Sequence, residues 1–103
     1  MEKGDVLTLA IWTVRPGRSE EFISLWESFA SWTSGSRESS QRGYLVQDLA
    51  DPQLFISYGY WDDMATINAW RESPEFTEFY QVARELCESI QPRTMRLVAM
   101  SED

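Results

Sequence analysis

The sequence predicts an α+β fold of the ferredoxin-like kind: a split β-α-β-β-α-β chain with one four-stranded antiparallel sheet. Three observations carry this. Val6–Val14 is apolar at both alternating sets of positions, the mark of a strand covered on both faces. Phe22, Leu25, Trp26, Phe29 and Ala30 recur at i, i+3, i+4, i+7 and i+8, the stripe of an amphipathic helix. Two more strand-like runs, residues 43–49 and 54–61, flank a short turn and so read as an antiparallel hairpin.

Residues 1–5 are a polar lead expected to fray. In the first strand Leu7, Leu9 and Ile11 share one face, and Val6, Ala10, Trp12 and Val14 the other. Residues 15–18, Arg-Pro-Gly-Arg, form a turn. Ser19 is then placed to cap the helix, with Glu20 and Glu21 at the positive end of its dipole. Glu21, Ser24, Glu27, Ser28 and Ser31 make its wet face. Residues 33–42, TSGSRESSQR, hold no apolar anchor and read as a solvated connector, long enough to serve as a lid. Gly59 inside the third strand marks a bulge or a close approach by something bulky.

The stretch from Trp61 to Ala83 organises the second half. Asp62 or Asp63 caps a short helix in which Met64, Ile67 and Trp70 recur at helical spacing. Ser73-Pro74-Glu75 starts another, with Ser as N-cap and Pro where a missing N–H costs nothing. Phe76, Phe79, Tyr80, Ala83, Leu86, Cys87 and Ile90 continue on one stripe. Residues 94–100, TMRLVAM, are expected to be the fourth strand, apolar on both sides like the first. No linker interrupts the chain, so residues 1–103 read as one domain. Its helices can cover only one sheet face. The other face therefore wants a second copy, and a homodimer packed sheet to sheet is predicted.

Seventeen acidic residues against nine scattered basic ones give a net charge of −8. That argues against nucleic acid, whose affinity rests on a basic patch, and against an anionic membrane surface. No signal peptide or membrane-spanning run is apparent, and the single cysteine cannot form an internal disulfide, so a reduced cytoplasmic setting is expected. Cys87 reads as an inert core thiol. The chain has no histidine. Zinc sites of the Cys/His type and Ser-His or Cys-His nucleophile pairs are thereby excluded, and no metal site is expected.

Five tryptophans in 103 residues is a high count. A pocket between helices and sheet would be lined by Trp12, Trp26, Phe29, Tyr58, Tyr60, Trp70, Phe76 and Tyr80, and such walls suit a small planar aromatic ligand. Trp26, Phe29 and Phe76 read first as core. Trp70 and Tyr80 read equally as core and as pocket wall.

Val14, Pro16, Gly17 and Phe22, the Asp51-Pro52 turn, and Trp61, Asp63, Trp70, Ser73, Pro74 and Phe76 form a pattern. Across nearly the whole chain it resembles the antibiotic biosynthesis monooxygenase family. The resemblance implies a dimeric α+β barrel. It includes quinone-forming oxygenases that use no cofactor, haem-degrading enzymes, polyketide cyclases and members without assigned roles. The haem-degrading branch pairs its Trp with an Asn in the first strand and a His on the long helix. Trp70 matches, but Ala10 and Tyr80 stand at the other two positions. The quinone-forming branch has Asn-x-x-x-Trp, where this chain has Thr66 before Trp70, and Asn68 lies on another helical face. The resemblance thus implies a monooxygenase acting on an aromatic or quinone-type compound without metal or flavin. The alternatives are a ligand-binding or structural relative, and a polyketide cyclase. For the oxygenase, Trp70 shapes the pocket, and Tyr58, Tyr60 or Tyr80 hydrogen-bonds a substrate oxygen. Arg96 stabilises an anion, although a salt bridge or an edge contact explains Arg96 as well. No residue stands out as a base.

Overall fold

The chain runs β1 (Val6–Val14), α1 (Ser19–Gly35), β2 (Gly43–Gln47), β3 (Leu54–Trp61), α2 (Met64–Arg71), α3 (Pro74–Leu86) and β4 (Cys87–Arg96). The structure is a computed structural model and describes residues 2–35 and 42–102. The four strands form one sheet in the order β2-β3-β1-β4, with every neighbouring pair antiparallel. This is the ferredoxin-like α+β fold, with the second helical segment in two pieces.

The helix starts follow from local chemistry. Asp63 caps α2, its side chain accepting from the Thr66 N–H at 2.8 Å. The Ser73 hydroxyl caps α3 by accepting from the Phe76 N–H at 3.2 Å, and Pro74 takes the first turn. Ser19, expected as the cap of α1, is instead its first residue. The Arg18 carbonyl there accepts from the Phe22 N–H at 3.0 Å. Helix α1 also runs further than the sequence suggests. Thr33, placed in a polar connector, is buried in its last turns. The rest of that connector and its reading as a lid, residues 36–41, lie outside the described residues.

The fourth strand departs most from expectation. The apolar stripe of α3 ends at Leu86. Cys87 is already extended, at φ −118° and ψ 145°, and β4 covers Cys87–Arg96 rather than residues 94–100. Ile90 therefore lies on a strand, and Val98 and Met100 are exposed beyond it. Nor is β4 apolar on both sides, for it is a sheet edge with mostly exposed, polar residues. Such a composition protects an edge, and Pro92 is tolerated on an edge strand. Of the α2 stripe, Ile67 is buried while Met64 is 40% exposed. Gly59 marks a close approach, since a Cβ there would sit 3.3 Å from the Gly43 Cα of the neighbouring strand.

Register sorts the sheet into two faces. Val6, Ala10, Trp12 and Val14 of β1 and Phe55 and Trp61 of β3 face the helices and are buried. Ala10, Trp12, Val14 and Phe55 form the larger core cluster with Phe22, Phe79, Ala83, Leu86 and Cys87. Phe22, Phe55, Ile67 and Val14 are the largest fully buried side chains, each worth roughly 1.5–3 kcal/mol of transfer free energy. Val6, Trp61 and Ile67 form a second, smaller cluster with Trp70 against it. Across the sheet, Leu7, Leu9, Ile11, Ile56 and Tyr58 share the opposite face, which no helix among the described residues covers. No helix among the described residues is long and apolar enough to cross a membrane.

Candidate functional site

A cavity of about 580 Å³ opens between the helices and the sheet, a size usual for small-molecule sites. Residues of both core clusters line it. The sheet supplies Thr8, Ala10, Trp12, Ser57 and Gly59, α1 supplies Trp26 and Phe29, and the helix pair supplies Trp70, Phe76, Phe79 and Tyr80.

The aromatic wall is held by ring packing. Phe29 stacks on Phe79 at 4.2 Å with 6° between the planes. Trp70 packs 4.8 Å from both Trp61 and Phe76, and Tyr80 stacks on Phe76 at 4.6 Å. Each such pair adds about 0.5–1.5 kcal/mol beyond its buried area. Three indole N–H groups are anchored to hydroxyls at 2.9 Å: Trp12 to Ser57, Trp61 to Thr8 and Trp70 to Thr33. The Thr33 hydroxyl donates in turn to the Phe29 carbonyl.

These anchors set the polarity of the floor. The oxygens of Ser57 and Thr8 accept from indoles, and that of Thr94 accepts from the Arg71 guanidinium at 2.6 Å. Thr8 and Thr94 are direct partners across β1 and β4. With an acceptor position of each already used, Thr8, Ser57 and Thr94 can present O–H donors to an oxygen in the cavity.

Tyr80 differs from the other polar groups. Among the described residues its hydroxyl has no hydrogen-bond partner. Burial pushes its phenol above the usual tyrosine range, opposed by the Arg71 and Arg84 guanidinium groups. The Arg84 guanidinium lies 5.8 Å from the Tyr80 ring centroid. At neutral pH Tyr80 is therefore a donor and not a base. Cys87 lies outside this cavity, and its thiol is pushed up to about 11 by burial, with Arg15 opposing. Among the described residues no three His, Cys, Asp or Glu side chains cluster.

Of the site residues named from sequence, Trp12, Trp26, Phe29, Trp70, Phe76 and Tyr80 all line the cavity. Tyr58 borders it as well, but its ring pairs with Tyr44 at 5.4 Å. Both residues belong to the opposite face by register, so Tyr58 can reach the cavity only through its main chain. Tyr60 is on that opposite face too, as the partner of Leu7. Both tyrosine rings are removed from the site by the alternation of β3, whose aromatic and apolar residues fall on both faces. Arg96 ends β4 as an exposed residue and does not line the cavity. Arg71 and Arg84 do, and so do the hydroxyl residues Thr8, Ser57 and Thr94. One signal could have found part of this set: Thr8 and Ser57 interrupt apolar strands on the same sheet face as the buried Trp12 and Trp61.

The family model for antibiotic biosynthesis monooxygenase matches residues 6–82. No curated protein matches the sequence significantly. Among solved structures the chain is similar to a conserved protein from Methanosarcina mazei Go1, with a TM-score of 0.82 and 20% identity over 91% of this chain and 93% of that one. It is similar to SnoaB, a cofactor-independent oxygenase from Streptomyces nogalater, with a TM-score of 0.80 and 17% identity over 96% of both chains. A protein from Shewanella oneidensis gives 0.79 and 21% over 92% of both. At such identities the likeness is one of fold.

Proposed function

The chain belongs to the antibiotic biosynthesis monooxygenase family, and on that premise we propose that it is a cofactor-independent monooxygenase oxidising a small aromatic compound of the hydroquinone or anthrone type. The observation that carries this reading is the Tyr80 phenol, without a hydrogen-bond partner among the described residues, at the wall of an aromatic cavity whose floor offers hydroxyl donors. The likeness in fold to SnoaB, a cofactor-independent oxygenase, supports it.

The chemistry asks little of the protein. A bound anthrone loses a proton to become an electron-rich enolate. The enolate gives electrons to dioxygen, a peroxide forms at the same carbon, and loss of water leaves the new carbonyl. No carboxylate or imidazole lines the cavity among the described residues. The protein therefore acts by making the substrate more acidic. Donors at Tyr80, Ser57 and Thr8 stabilise the developing oxyanion, and Arg71 and Arg84 add positive charge. The proton leaves to water. Trp70 and Phe76 hold the ring plane.

We also propose that the protein is a homodimer formed through the uncovered sheet face, and that it is cytoplasmic, given its one unpaired and buried cysteine. The test of the activity is an oxygen electrode with anthrone and simple hydroquinones, without added flavin or metal. From anthrone, one dioxygen consumed per anthraquinone formed is expected, with no hydrogen peroxide released. A second reading, a ligand-binding relative without turnover, is favoured by one observation. Thr66, four residues before Trp70, has its hydroxyl engaged with the Asp63 carboxylate at 2.8 Å in the α2 cap and does not line the cavity. Ligands that raise the melting temperature while no oxygen is taken up would decide for that reading.

A further inference from the structure

The cavity has a charge character opposite to the rest of the chain. Seventeen carboxylate side chains outnumber nine cationic ones in the sequence. Yet among the described residues those lining the cavity include Arg71, Arg84 and Arg93 and not one Asp or Glu. Register turns Arg93 toward the other sheet face, beside Leu9, which leaves Arg71 and Arg84 as the cations of the cavity among the described residues. Among the described residues neither has a carboxylate partner. The ion pair among the described residues is Arg18 with Glu21, on the outside of α1. The Arg71 guanidinium is instead steadied by the Thr94 hydroxyl at 2.6 Å, and that of Arg84 lies over the Tyr80 ring. The two come from different helices yet line the same cavity, Arg71 against Thr94 and Arg84 against the Tyr80 ring. They therefore converge on one region. Guanidinium groups held at a cavity wall without a carboxylate suit a planar anion, which accepts their parallel N–H donors.

We propose that the compound bound in this cavity is an aromatic carboxylate, its ring system against Trp70, Phe76 and Tyr80 and its carboxylate held by Arg71 and Arg84 at the β4 side. The proposal names the ligand class of the site read above as catalytic. It rests on that reading only for the location of the site and not for the oxygen chemistry. A carboxylate held there leaves the floor hydroxyls of Ser57 and Thr8 to a second oxygen on the ring system. One molecule thereby uses both polar features of the cavity.

The test compares two probes of nearly equal shape, anthraquinone-2-carboxylate and anthraquinone-2-carboxamide, by quenching of tryptophan fluorescence and by calorimetry on the full chain. The carboxylate is expected to bind about tenfold more tightly, and added salt should weaken the carboxylate alone. Arg84→Gln and Arg71→Gln should each cost the carboxylate about fivefold to tenfold and leave the carboxamide within about twofold. Arg84 is exposed on α3, so its variant decides alone if Arg71→Gln does not fold. Equal affinity for the two probes overturns the proposal. So does failure of both to bind at millimolar concentration, and so does a loss in Arg84→Gln shared equally by both probes. Oxygen uptake distinguishes the two ideas. Carboxylate preference without uptake sinks the oxygenase reading alone, and equal uptake with neutral and anionic anthrones sinks this proposal alone.

Discussion

At the scale of the residue, a half-buried phenol without a hydrogen-bond partner among the described residues is a group whose loss should cost function and not stability. Tyr80→Phe removes one hydroxyl and keeps the ring that stacks on Phe76 and packs 5.7 Å from Trp12. Stability is expected to stay within about 0.5 kcal/mol of the parent, while kcat for anthrone oxidation falls about 100-fold. Thermal melts and oxygen uptake on one preparation check both halves. A lowered melting temperature with unchanged turnover would return Tyr80 to the core. Cys87 behaves in the opposite way, since its ionisation bears on stability and not on the site. Its thiol ionises at about 11 in the fold against an ordinary 9.0, so on raising the pH the unfolded chain loses this proton first. The stability it contributes is complete below 9.0 and is lost as pH rises through about 11. Urea midpoints across that range should fall more steeply for the parent than for Cys87→Ala. How far the site could be read beforehand follows the same division. Ring residues at helical spacing, Phe29, Trp70, Phe76 and Tyr80, announce their own face. Arg71 and Arg84 do not, because a charged residue on a helix is ordinarily just solvated. Only the juxtaposition of two helices with a sheet edge makes those two guanidinium groups neighbours.

At the scale of the element, the break between α2 and α3 gives the cavity its roof. Ser73 serves both helices: its hydroxyl accepts from the Phe76 N–H and donates to the Trp70 carbonyl at 2.7 Å. Ser73→Ala should cost about 1–2 kcal/mol of stability, seen as a lower urea midpoint, because a cap and a tether go together. The residues it ties are cavity residues, so affinity for an aromatic probe should fall with it, and Ser73→Thr should restore both. Unaltered affinity in a destabilised Ser73→Ala protein would separate the cap from the site. This junction was legible in the sequence because caps are local chemistry, needing only a hydroxyl, a proline and an acid in order. The α3–β4 boundary was not. Leu86 and Ile90 are spaced as a helix would have them, and nothing in the local chain stops the helix at Leu86. What stops it is tertiary. The Leu86 carbonyl accepts from the Arg15 N–H at 2.9 Å, and from Cys87 onward the chain pairs with β1 from Val14 back to Val6. The register shifts between Thr13 and Val14, where Glu88 is the extra residue of a bulge. A polar edge strand has no apolar alternation to betray it, whereas the apolar tail at Val98 and Met100 imitates one.

At the scale of the whole molecule, the sheet has one covered face and one bare face. Ile56 lies near the middle of the bare one, paired with Ile11 on one side and Val46 on the other. Val46 and Tyr44 at its border are 45% and 50% exposed, and Met95 at the other edge is 43% exposed. A contiguous apolar surface of this kind is uncommon on a protein that stays monomeric. A second copy meeting it about a two-fold axis would match apolar surface with the same apolar surface. The parent protein should accordingly sediment at twice its chain mass of 12.0 kDa at micromolar concentration. Ile56→Lys would bury unpaired ammonium groups between the copies. Even about 3 kcal/mol of penalty would raise the dissociation constant more than 100-fold, and the variant should run as a single chain. Leu49→Lys, at a fully exposed turn, should remain a dimer, which separates the face from a general effect of added charge. A single-chain parent, or an Ile56→Lys protein that still dimerises, would show that this face has another purpose. The residues on either side of Ile56 give the experiment a further reading. Phe55 and Ser57 point the other way, into the core and toward the cavity floor, so one strand serves both faces. If the single-chain variant keeps its ligand affinity, the cavity is complete within one copy. If affinity falls with the dimer, the partner holds β3 in the register on which the Ser57 hydroxyl depends.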